Sequence, residues 1–117
     1  MGENVLGVSR PLLSVRDFTF KEVASFFRKV LRGKKVKKAY LFGSFAANEA
    51  GYWSDIDVLI VVDTDRSFIE RPKEFLDLFD LGLPIDILVY TPEEFDVLMK
   101  EPRGFWKSFQ ITKVRIL

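Results

Sequence analysis

The segment Ile56 to Val62 is apolar throughout except for Asp57, and a second aspartate, Asp55, stands immediately before it. So greasy a run, rich in β-branched residues, reads as a strand covered on both faces, and therefore as an inner strand of a layered sheet. Side chains alternate along a strand, so Asp55 and Asp57 share one face. Asp is a poor strand former, and carboxylates beside a core need partners. Two on one face repel each other unless a cation lies between them. A plainer reading is also open at this point: the pair could be turn and capping carboxylates at a strand entry.

The other elements follow from local signals. Residues 1–16 show weak periodicity and read as an N-terminal arm; residues 17–117 read as one domain, in keeping with a chain of 117 residues. Thr19 and Glu22 form a capping box, with Phe18 and Val23 as its hydrophobic staple. A helix then carries Phe20, Val23, Phe27, Val30 and Leu31 at helical spacing and stops at Gly33. A first strand spans Val36 to Phe42, and a short helix and turn occupy Phe45 to Ser54. The stretch 63–67 reads as a loop that includes Asp63 and Asp65. A helix is expected over Glu70 to Leu81 with Phe75, Leu78 and Phe79 in the core, then a strand over Ile85 to Tyr90. Thr91-Pro92-Glu93-Glu94 starts a helix that runs to about Lys100. Phe105, Trp106 and Phe109 suggest a short aromatic helix or turn, either core or, if exposed, an interface. Ile111 to Leu117 alternates as a final strand. The expected class is α/β (α+β type): a mixed central sheet with helices on one face and the carboxylates on the open face.

Composition narrows the chemistry. The chain has no Cys and no His, which excludes zinc fingers, disulfide scaffolds, Cys nucleophiles and histidine bases. Bound metal would be held by oxygen, as suits Mg²⁺, Mn²⁺ or Ca²⁺. Asp86, isolated in Pro-Ile-Asp-Ile-Leu-Val-Tyr, is a third candidate. If its strand pairs with the second, Asp86 projects beside Asp55 and Asp57, a donor set suited to two-metal phosphoryl or nucleotidyl transfer. Gly43-Ser44 ends the first strand. A glycine there lets backbone N–H groups approach a phosphate, and the serine hydroxyl can donate to it. The loop is not a Walker A motif, since Lys34 and Lys35 follow no Gly-x4-Gly.

Charge is split. Residues 1–40 hold 10 basic and 3 acidic side chains, and residues 41–117 hold 8 basic and 14 acidic. The basic run from Arg28 to Lys38 reads as a solvated face, with a partner contact as the functional option. Tyr52 and Trp53, just ahead of the Asp pair, could stack on a base, though rim packing is the simpler reading. No apolar run is long enough for a membrane span, and the N-terminus carries no signal-peptide pattern; a soluble, cytoplasmic protein without membrane contact is expected.

Gly43-Ser44, ten residues, then Asp55-x-Asp57 resembles the signature of the DNA polymerase β-like nucleotidyltransferase superfamily, and in particular its minimal nucleotidyltransferases. The flanking Leu-Phe-Gly-Ser-Phe-Ala, Ser-Asp-Ile-Asp-Val-Leu-Ile-Val-Val and Ile-Asp-Ile-Leu-Val-Tyr fit as well, so the resemblance covers about residues 19 to 101. It implies Gly43 and Ser44 at the triphosphate of a nucleotide, with ATP as substrate. It implies Asp55 and Asp57 as ligands of two Mg²⁺ ions. Asp86 would be a ligand of the catalytic metal and the candidate general base. Minimal members are often encoded beside a HEPN-type protein as the antitoxin of a toxin–antitoxin pair, and in studied pairs they transfer AMP to a partner tyrosine. That makes a HEPN-type partner the expected acceptor. The competing expectation is a non-catalytic module that neutralises a partner by masking it. Action on nucleic acid is disfavoured by the short basic run, and a homo-oligomer stays open.

Overall fold

The computed structural model describes residues 11–117; residues 1–10 of the expected arm lie outside the described residues. Four strands form one sheet in the order β3-β2-β1-β4: β1 (Lys38–Phe42), β2 (Ile56–Val61), β3 (Ile85–Tyr90) and β4 (Val114–Arg115). The pairs β1/β2 and β1/β4 are antiparallel, and β2/β3 is parallel. The sheet is therefore mixed, and the apolar β2 lies inside it, as its hydrophobic run requires.

Helix α1 (Phe20–Leu31) begins where expected. The Thr19 hydroxyl accepts from the Glu22 N–H at 3.1 Å, and Glu22 Oε1 accepts from the Thr19 N–H at 2.8 Å. Such a cap contributes about 1 kcal/mol. The helix does not stop at Gly33. Its end tightens into a 3-10 turn over Arg32–Lys34, and Lys35 takes the left-handed conformation (φ 58°) instead. α1 buries Val23, Ala24, Phe27 and Leu31 against the inward residues Ala39, Leu41, Ile56, Val58 and Ile60 of the sheet. Ser14 and Val15 of the expected arm are also buried, and the Ser14 hydroxyl donates to the Tyr52 carbonyl at 2.7 Å.

The segment between β2 and β3 departs from the expected α-helix. It is a 3-10 segment, Phe68–Leu81, with non-helical angles at Phe75 and Pro72 inside it. Pro72 has no N–H to donate and its ring obstructs the preceding turn, so an α-helix cannot run through it. Three residues per turn align positions 75, 78 and 81. Phe75 and Leu78 are accordingly buried and Leu81 packs beside them, while Phe79 is 42% exposed rather than core.

The second face of the sheet is not bare. Helices α3 (Pro92–Lys100) and α4 (Phe105–Thr112) lay Phe95 and Phe109 on Tyr40, Phe42, Leu59 and Val61. Helices thus cover both faces. The carboxylate face is left open only beyond this aromatic cluster, toward the start of β2. α4 also takes Ile111 and Thr112, which leaves a final strand shorter than the alternation suggested.

One buried charge locks the two halves of the sheet connection. Arg71 is buried and donates to Glu94 Oε1 (2.7 Å) and Oε2 (3.2 Å), to the Val89 carbonyl (3.1 Å) and to the Arg66 carbonyl (3.0 Å). Glu94 also completes the Thr91 capping box. Arg71 and the cap hold the Glu94 carboxyl below its ordinary 4.5. A depressed carboxyl stabilises the fold above its unfolded value and loses that contribution as pH falls through the folded one. Arg71→Ala is expected to cost about 2–3 kcal/mol in urea unfolding at pH 7. Glu94→Gln should flatten the acid limb of the stability curve, and an unchanged limb would count against this account.

Candidate active site

The site is built by register. Along β2, residues 56, 58 and 60 face the α1 side, so Asp57 shares the other face with the buried Leu59 and Val61. Asp57 pairs with Phe42 on β1 and with Asp86 on β3. Adjacent strands lie about 4.8 Å apart, so the two carboxylates stand side by side in one row across the sheet. The Asp57 carboxyl is raised from 3.8 to about 6, first by burial, then by the charges of Asp86 and Asp55. Burial disfavours the ionised form, and like charges add to that.

Gly43 closes the row from the β1 side. It adopts φ +76°, and a Cβ built on it would collide with Asp57 Oδ2. Only glycine allows both the left-handed backbone and so close an approach. The Gly43 N–H donates to Thr112 Oγ1 at 2.9 Å. Ser44 follows within α2 (Gly43–Ala46), a single helical turn.

A cavity of about 260 Å³ opens here, lined among others by Gly43, Asp57, Asp86, Phe105, Ser108 and Thr112. The structure therefore brings Gly43, Asp57 and Asp86 together. Asp55 lies in the coil just before β2, outside the cavity wall, and acts on Asp57 through its charge. Ser44 does not line the cavity. Among the described residues no group of three or more acidic side chains is placed to hold a metal ion, so Asp55, Asp57 and Asp86 do not converge as the expected three-carboxylate set.

The residues that sequence reasoning missed are on α4. Positions 105, 108, 109 and 112 recur at i, i+3, i+4 and i+7, which is one helix face. That spacing was available in the sequence, but the polar Ser108 and Thr112 among aromatics gave no apolar stripe to read. The basic run lies elsewhere. Arg28 donates to the Ile116 carbonyl at 2.6 Å, Lys34 pairs with Asp77 and Lys37 with Asp63. Tyr52 carries the Arg16 guanidinium 4.6 Å over its ring, and Trp53 is 66% exposed.

A mixed sheet that sets two carboxylates in one row beside a glycine turn offers the oxygen donors that metal-assisted nucleotidyl transfer uses. The model of the nucleotidyltransferase domain family matches residues 21–111, and the chain belongs to that family. Two relatives from Methanocaldococcus jannaschii carry the name "putative protein adenylyltransferase". One is 37% identical over 74 residues, 58% of this chain and 72% of the relative. The other is 36% identical over 76 residues, 65% of this chain and 74% of the relative. Two solved structures share the fold. One is a toxin–antitoxin crystal structure with AMP-PNP, with TM-score 0.59 and 20% identity over 80% of this chain and 72% of that one. The other is described as a putative nucleotidyltransferase from Sulfolobus solfataricus, with TM-score 0.51 and 19% identity over 86% and 81% of the two chains. Among the described residues no helix is long and apolar enough to cross a membrane.

Proposed function

We propose that this nucleotidyltransferase moves AMP from ATP to a hydroxyl of a partner protein, a HEPN-type toxin, and so serves as an antitoxin. The observation that carries the reading is the Asp57–Asp86 register with Gly43 packed against Asp57. The names of the relatives support a protein acceptor, and the toxin–antitoxin neighbour with AMP-PNP supports an adenine nucleotide and a toxin as partner; the HEPN type rests on the family resemblance.

The residues fit Mg²⁺. Every candidate donor is a carboxylate oxygen, and a divalent cation would offset both the burial that chiefly raises Asp57 and the like charges of Asp86 and Asp55 that add to it. Mg²⁺ is ordinarily held by one or two carboxylates together with substrate phosphates, not by a closed protein cage. Asp57 and Asp86 would hold the ions, with Asp55 joining from the coil. When bound, two such ions neutralise charge on the α-phosphate and lower the pKa of the attacking hydroxyl.

The Gly43-Ser44 turn would hold the triphosphate by its outer phosphates, with Ser44 as the donor and Gly43 shaping the turn, since the Gly43 N–H is already donated to Thr112. The acceptor oxygen forms a bond to the α-phosphorus, the α–β phosphoanhydride bond breaks, and pyrophosphate leaves. Asp86, the exposed member of the row, takes the hydroxyl proton.

The test is calorimetric titration with a non-hydrolysable ATP analogue and Mg²⁺, followed by incubation of labelled ATP with the protein and the product of the adjacent gene. Binding and label on the partner are expected. No binding at millimolar analogue sinks the reading. Neutralisation of the partner that survives Asp55→Asn with Asp57→Asn points instead to masking without chemistry.

A further inference from the structure

We propose that Thr112, the last residue of α4, is a positioning residue for nucleotidyl transfer: its hydroxyl fixes the Gly43 turn against Asp57. The inference rests on the nucleotidyl-transfer reading above and extends it to a residue outside the carboxylate and glycine motifs.

The placement follows from the sheet. Strand β4 pairs antiparallel with β1, Tyr40 with Arg115 and Leu41 with Val114. The same register, carried two residues on, sets Gly43 opposite Thr112. The strand has ended by then, so no backbone ladder bond is available to the Gly43 N–H. The Thr112 side chain supplies the missing acceptor, at 2.9 Å.

The hydroxyl is itself oriented. Thr112 Oγ1 donates to the Ser108 carbonyl one turn back in α4, at 3.1 Å. Spending its proton there leaves a lone pair for Gly43. The chain of bonds runs from α4 through Thr112 to the turn whose glycine touches the Asp57 carboxylate. Both Thr112 and Gly43 line the cavity with Asp57 and Asp86. Without this tether the one-turn α2 that follows has no side-chain cap of its own. The turn would then keep only the bonds that its own carbonyls accept, from Ala47 and Glu49, and the phosphates it holds would be misplaced.

The prediction separates binding from fold. In Thr112→Val, shape is kept and the acceptor is lost. The KM for the nucleoside triphosphate should rise about tenfold and kcat should fall with it as the phosphates lose their alignment, with the KM for the acceptor within twofold of wild type. Thr112→Ser keeps the hydroxyl and should restore the nucleotide KM. Hydrogen exchange at the Gly43 amide should quicken about tenfold in Thr112→Val and return to the wild-type rate in Thr112→Ser. A purely structural residue would instead lower the active fraction and leave the KM alone, and that result overturns the proposal. So does an unchanged Gly43 exchange rate, a lower nucleotide KM, or a serine variant as defective as the valine one. A wild-type protein that transfers no nucleotide overturns the proposed function, and the exchange rates still decide whether Thr112 holds Gly43.

Discussion

Gly43→Ala is expected to cut nucleotidyl transfer by at least roughly 10²-fold while the chain still folds. Two costs meet at this residue. A side chain at φ +76° strains the backbone by about 1–2 kcal/mol. The added Cβ also drives into the Asp57 carboxylate. Asp57 cannot retreat along the sheet, where Phe42 is its cross-strand neighbour and the buried Leu59 follows on the same face. The space open to it is the cavity, so the carboxylate moves into the volume that substrate would fill. Gly82→Ala is the control. Gly82 has a similar φ of +85°, but a Cβ there meets only Leu13 Cδ2, at 3.1 Å. Both variants should lose stability in urea through the strained backbone, Gly43→Ala the more because of its clash with Asp57, and Gly43→Ala alone should lose transfer. Equal transfer by the two variants would show that the approach of Gly43 to Asp57 does not matter.

Much of this site was legible in the sequence because strand and cap signals are local. The Thr91 cap gives the start of α3, and β3 runs from Ile85 to Tyr90 as its composition suggests. Once β2 and β3 are recognised, one parallel register suffices to set Asp57 beside Asp86. What was not legible depends on competition between periods or on long-range pairing. Ile111 and Thr112 alternate with their successors as a strand does, yet the buried Phe109, with Trp106 packed beside it, draws them into α4. Pro72 turns an apparent α-helix into a 3-10 segment and so moves Phe79 out of the core. Nothing in the sequence marks Arg71 as buried; the fold sets Glu94 and two carbonyls around it. The cavity's second wall was missed for the same reason, since α4 meets Gly43 through a bond between residues 69 apart in the sequence.

Asp57→Asn should abolish transfer and at the same time stabilise the metal-free protein. On the proposed function, a carboxylate that holds a catalytic ion contributes several kcal/mol, so transfer should fall on the order of 10³-fold. The stability effect has the opposite sign. The folded Asp57 carboxyl sits near 6 and its unfolded value is 3.8, chiefly because burial opposes its charge. Below the lower value both states are protonated and the fold carries no penalty. Between the two values the unfolded chain ionises freely while the fold still holds the proton, so stability falls as pH rises and the loss is complete once the folded value is passed. At full weight that shift corresponds to about 3 kcal/mol. Solvent reaches this half-buried carboxylate, and screening reduces the cost to about 1–2 kcal/mol. Urea unfolding in chelator should therefore show wild-type stability falling between about pH 4 and 6, with the fall removed in Asp57→Asn. Adding Mg²⁺ with a non-hydrolysable nucleotide should reverse the order, because ligand that binds only the folded wild type stabilises it by mass action. If Asp57→Asn is less stable than wild type in chelator at pH 7, the row of carboxylates is not the strained element that this account requires. If it gains as much from Mg²⁺ and nucleotide as wild type does, Asp57 does not hold the ion.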